Sequence, residues 1–134
     1  MTRREFDLTD GATMRPYSMD DLEMLWSAVV PERARIGRWL RWADLLGSIG
    51  YWLVSAFEGR GLITRACRAI VSHAFVEHEA HRVTIASAVT NTRSRAVPER
   101  LGFVLDGVAR EATRTYEGFS DLAIYGILDR EWTP

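Results

Sequence analysis

Between Tyr51 and Thr64 the chain reads Tyr-Trp-Leu-Val-Ser-Ala-Phe-Glu-Gly-Arg-Gly-Leu-Ile-Thr: an apolar strand pattern passing through a Gly-x-Gly turn into an amphipathic helix. That order delivers backbone N–H groups to a helix N-terminus, where unpaired amides and the helix dipole both favour an anion such as phosphate. Further on, Asn91-Thr92-Arg93-Ser94 places an asparagine between a strand end and a helix start, an N-cap position. The remaining reactive side chains point to less. His73, His78 and His81 do not share one helix face at a metal-ligand spacing, and they read as a solvent-facing set. Cys67 falls between stripe residues of a helix and reads as a small core filler. The five tryptophans read as core and rim packing. All seventeen basic residues are arginine, so lysine nucleophiles and Schiff bases are excluded.

These groups need elements to hold them. Residues 12–17 form a short strand ending at Pro16, and Ser18 caps a helix with Asp20, Asp21 and Glu23 in its first turns. Leu22, Leu25, Trp26 and Val29 give that helix one apolar face, interrupted at Pro31. Residues 35–46 form a second helical piece, and Gly47-Ser48 turns into a strand over 49–54. After Gly61, the residues Leu62, Ala66, Ala69, Ile70 and Phe75 keep helical spacing to about His78. Residues 82–89 alternate as a strand, and 91–101 form a short helix closed by Gly102, with Pro98 disturbing its start. Strands over 103–110 and 119–128 are joined through Tyr116-Glu117-Gly118. The strand–helix–strand unit over 49–89 should be a parallel, right-handed crossover, whereas the closing hairpin must be antiparallel. The predicted class is α/β (mixed α+β): a mixed sheet with a central parallel pair and a C-terminal hairpin, flanked by helices.

With 134 residues the chain is expected to form one domain, residues 1–134. Its net charge of −1 offers no general attraction for nucleic acid. No apolar run approaches the ~20 residues a membrane helix needs. The first residues lack an apolar stretch of signal-peptide type, and a single cysteine fits a reducing compartment, so a cytoplasmic location is expected.

Taken together, the 51–64 segment and Asn91–Phe103 resemble the GCN5-related N-acetyltransferases, in particular the RimJ/RimL-like branch that acetylates ribosomal-protein N-termini. Gly11–Pro16 looks like the first strand of that family, and Arg38–Trp42 like its early aromatic helix. The resemblance implies acetyl-CoA as cofactor and direct acetyl transfer to an amine, most often a protein or peptide N-terminus such as that of a ribosomal protein. It assigns Leu53 and Val54 to the pantetheine arm through their backbone, with Gly59, Arg60, Gly61, Leu62, Ile63 and Thr64 at the pyrophosphate and Asn91 as a further cofactor contact. Ser94 and Tyr125 become alternative donors of a proton to the departing thiolate.

This chain departs from the family in three places. Glu58 opens the glycine loop where glutamine or arginine is usual, and a carboxylate there would repel pyrophosphate unless it points away. Thr113 stands where relatives carry a glutamate base, leaving Glu111 or Asp121 to relay the amine proton through water. The chain also passes from Leu46 straight to Ile49, so two strands of the usual fold are expected to be missing and one edge of the 49–54 strand uncovered. An uncovered edge invites pairing, so a homodimer is expected. The same departures keep open an alternative, a non-catalytic shortened homologue that binds CoA or a partner protein.

Overall fold

A computed structural model describes residues 5–16, 18–21, 23–24, 27–28, 31 and 49–134. The predicted helical piece over 35–46 and the apolar face of Leu22, Leu25, Trp26 and Val29 lie outside the described residues. So does the Gly47-Ser48 turn, and with it the expectation that two strands are absent there. Strands β1 (Phe6–Asp7) and β2 (Thr13–Met14) form a small antiparallel pair. Ser18 donates its amide to the Asp21 carboxylate at 2.6 Å and its hydroxyl to the same oxygen. The expected cap is therefore reversed, with the acid as acceptor. Two guanidinium nitrogens of Arg15 reach the same carboxylate, at 2.5 and 2.7 Å.

The rest is built on helix α1 (Leu62–His78), strand β3 (Arg82–Ala88), helix α2 (Thr92–Arg100) and the long hairpin β4 (Val104–Thr115) and β5 (Gly118–Leu128). The larger sheet has the order β3-β5-β4, and both of its pairings are antiparallel. Alternation sends Val83 and Ile85 of β3, and Ala123, Tyr125 and Ile127 of β5, to one face. There they pack with Cys67 and Val71 of α1, Val97 of α2, Leu101 and Phe103. On the opposite face, Gly126 of the central strand leaves room for an ion pair between Arg82 of β3 and Asp106 of β4, which crosses directly over it.

The segment 49–54 corrects the expected parallel pair. One backbone bond, from the Ile49 amide to the Thr84 carbonyl at 3.0 Å, ties it to β3, and no ladder follows. Ile49 and Tyr51 turn onto the helix-side core instead, and the chain then breaks into a 3₁₀ turn over Ser55–Phe57. Leaving β3 in this way opens a cleft between the segment and α2.

Candidate functional site

Helix α1 begins without a side-chain cap. Gly61 stands at its N-cap with φ +69°, and Gly59 before it has φ +77°. Both angles lie in the left-handed region that an L side chain strains to enter, so the two glycines let the chain turn sharply into the helix. The first-turn amides of Leu62, Ile63 and Thr64 stand at the head of the helix dipole and face a cleft of about 860 Å³. Its walls come from Tyr51–Leu53, the glycine loop and the face of α2 bearing Arg93, Ser94, Val97 and Arg100.

The α2 wall is held by a specific arrangement. The Asn91 side chain accepts the Ser94 amide at 3.1 Å, so it acts as the N-cap. Pro98 sits inside the helix and has no amide to offer the carbonyl four residues back, which is that of Ser94. The Tyr51 hydroxyl donates to that carbonyl at 2.8 Å and replaces the lost bond. Burial pushes the Tyr51 phenol up from its ordinary value, so it stays protonated and able to donate. Ser94 is therefore fixed at the cleft from both of its backbone groups.

Glu58 and Arg93 form an ion pair at 2.6 Å, with Glu58 at the mouth of the glycine loop and Arg93 in the first turn of α2. The described cleft lining carries Arg65, Arg93 and Arg100 against the single carboxylate of Glu58. Pairing with Arg93 offsets the repulsion that Glu58 alone would present to an anion.

Leu53, Gly59, Gly61, Leu62, Ile63, Thr64, Asn91 and Ser94 line this cleft, whereas Val54, Arg60, Glu111 and Tyr125 do not. Arg60 lies instead on a neighbouring groove beside the β1–β2 turn. Tyr125 is buried in the core; its hydroxyl accepts from Arg95 Nε at 2.9 Å and donates to Glu99 at 2.8 Å. Arg95 also donates to the Val89 carbonyl, tying α2 to the end of β3. Glu111 lies in an irregular stretch of β4 between Ala109 and Thr113, at φ +49°, and its amide donates to the Asp121 carboxylate. Sequence reasoning missed Arg65, Thr90, Thr92, Arg93, Val97 and Arg100 as lining. The recurrence of Arg93, Val97 and Arg100 at helical spacing was the available signal. Among the described residues no group of three or more potential ligands could hold a metal ion, and Cys67 is buried with its thiol pushed up to about 12 by desolvation.

Comparison with known proteins follows the same lines. YdaF of Bacillus subtilis (strain 168), named as a ribosomal N-acetyltransferase, is 50% identical over 84 residues, 63% of this chain and 46% of YdaF. The ribosomal-protein-serine acetyltransferase of Escherichia coli (strain K12) is 33% identical over 84 residues, 62% of this chain and 47% of that protein. The chain thus spans about half the length of the curated relatives it matches. A RimL structure solved with coenzyme A superposes with a TM-score of 0.86 at 17% identity, across 93% of this chain and 98% of that one, a likeness of fold. Residues 20–104, more than half of the chain, match the acetyltransferase (GNAT) domain, and the chain belongs to that family.

Proposed function

We propose that this protein is an acetyl-CoA-dependent N-acetyltransferase acting on a protein or peptide N-terminal amine, a ribosomal-protein terminus among them, in the cytoplasm. The observation that carries the reading is the uncapped start of α1, set between two left-handed glycines and open to a cleft walled by α2. That site suits a pyrophosphate by charge and by shape. Its volume of about 860 Å³ lies within the usual range for small-molecule clefts, roughly 300–1,000 Å³.

In this reading the amides of Gly59–Thr64 hold the pyrophosphate, the backbone of Leu53 and Val54 receives the pantetheine arm, and Asn91 borders it. The bound cofactor would supply an acetyl group activated as a thioester. Ser94, fixed by Asn91 and Tyr51, offers the proton at the cleft wall. Tyr125 gives its own proton to Glu99, which makes it the remoter donor. Glu111 is the candidate proton acceptor, and its strained backbone supports that role, because strain of about 1–3 kcal/mol is often kept at working sites. The expected homodimer belongs to the same proposal.

One observation favours the second reading, a CoA-binding homologue without turnover: the only carboxylate in the described cleft lining is committed to Arg93. The experiment is thiol release from acetyl-CoA with a panel of free and N-terminally blocked peptides. Release with free peptides alone supports transfer. CoA binding with no release on any peptide would decide for the second reading, and failure to bind CoA at all would remove both.

A further inference from the structure

We infer that Arg65 is the positioning residue of the anion cradle: its guanidinium holds the Arg60 carbonyl and so keeps the Gly61 amide in place as a donor to the ligand. The inference rests on the CoA-binding reading above and goes beyond it by naming what fixes the glycine loop. Gly61 stands at φ +69°, and a glycine takes either sign of φ at little cost. On its own, the peptide between Arg60 and Gly61 is therefore free to flip. A flip would put a carbonyl oxygen where the cradle needs an N–H, and an oxygen there repels phosphate.

Helical side chains lean toward the N-terminus of their helix, and Arg65, in the first turn of α1, reaches back past it. Its Nη1 donates to the Arg60 carbonyl at 2.9 Å. That peptide is trans and planar, so its N–H points opposite to its carbonyl. Gripping the carbonyl thus directs the Gly61 N–H away from the guanidinium, and among the described residues that N–H meets no backbone acceptor. Two features separate the contact from the chance resting place of a long side chain. A cation at the head of a helix opposes the dipole, and α1 has no acid in its first turn to offset it. Moreover, Arg65 Nε is buried without a hydrogen-bond partner among the described residues, while Nη2 stands 3.8 Å from the exposed Asp10 carboxylate. An arginine that is 30% exposed has water within reach for its donors; this one leaves a donor unmet and keeps the Arg60 bond.

The test combines CoA affinity by calorimetry with residue-by-residue amide exchange, on the full chain of the wild type, Arg65→Met and Arg65→Lys. Methionine keeps the apolar stem and drops every donor. Arg65→Met is expected to weaken CoA about tenfold, the size of one lost hydrogen bond from a charged donor. Its melting point should stay close to wild type, because methionine forms helix as well as arginine does. At saturating CoA the Gly61 amide should exchange fast in Arg65→Met, while Ile63 and Thr64 stay protected as in the wild type. Arg65→Lys, which retains a donor on a similar stem, should recover part of the affinity and of the Gly61 protection. Undiminished CoA binding by Arg65→Met, or a lysine variant no better than the methionine one, would overturn the inference. So would weakened binding with Gly61 still protected, since the arginine would then act on the ligand and not on the loop. Loss of protection throughout α1 with a lowered melting point would overturn it as well, marking a role in the fold alone. Each of these outcomes leaves the CoA reading intact, whereas a wild type that binds no CoA would remove both.

Discussion

Ser94 and Tyr125 both carry a hydroxyl at a position the family resemblance singles out, but their surroundings separate them. Ser94 stands on the cleft wall, whereas Tyr125 sits in the core between Arg95 and Glu99. Ser94→Ala should therefore lower kcat by about a hundredfold or more if it is the proton donor, with CoA affinity retained. Tyr125→Phe should instead lower stability by about 1–3 kcal/mol, since Glu99 and Arg95 lose a buried partner. Turnover by variants of matched folded fraction, read beside their melting curves, tells the two apart; a Tyr125→Phe enzyme that is stable yet inactive would reverse the assignment. At this scale the sequence was informative about residue types and poor about partners. Asn91 and Ser94 could be recognised from local order, because capping is a short-range affair. The contacts of Glu58 with Arg93 and of Tyr51 with Ser94 span 35 and 43 residues, and nothing in a local pattern encodes them.

Among the elements, α1, β3 and β5 follow from periodicity, since each buries one face and the pattern of apolar residues states which, whereas β4 has no buried residue and is held by its pairing with β5. The segment 49–54 shows the limit of that reasoning. An apolar run can show that a chain is buried without saying which neighbour it pairs with, and here Tyr51 is drawn to α2 rather than along β3. That contact makes a prediction about α2. Tyr51→Phe should destabilise by about 1–3 kcal/mol, because the Ser94 carbonyl loses the donor that stands in for the missing Pro98 amide. In a Pro98→Ala background the restored amide can reach Ser94, so the same tyrosine change should cost less; equal costs in both backgrounds by denaturant titration would refute the substitution of one donor for the other. Gly126 allows a second test within the sheet. A methyl group there would stand 2.7 Å from Asp106 Oδ2 and displace the Arg82–Asp106 pair. Since the pair is exposed, worth about 0–1 kcal/mol, and alanine recovers about 0.5–1 kcal/mol of chain entropy, Gly126→Ala should leave stability within about 1 kcal/mol of wild type. A larger loss on thermal melting would show that the crossing pair carries more than its exposure implies.

For the molecule as a whole, titration sets two limits. Arg15 holds the Asp21 carboxyl well below the ordinary carboxylate range, so that clamp is at full strength above about pH 4 and is lost as pH falls through the folded value. Cys67 moves the other way: burial raises its thiol from 9.0 to about 12, so its contribution is complete below pH 9.0 and disappears as pH climbs toward 12. As the chain has one thiol, its reaction with a coloured disulfide reagent at pH 8 should follow unfolding of the core; fast reaction of the native protein would contradict its burial. The start of α1 carries a different consequence. Most helices are finished by a serine, aspartate or asparagine of their own chain, and this one is left for a visitor to finish. Bound ligand would then count as a piece of secondary structure: amide exchange at Leu62, Ile63 and Thr64 should slow when CoA is added, and the melting point should climb with the logarithm of its concentration.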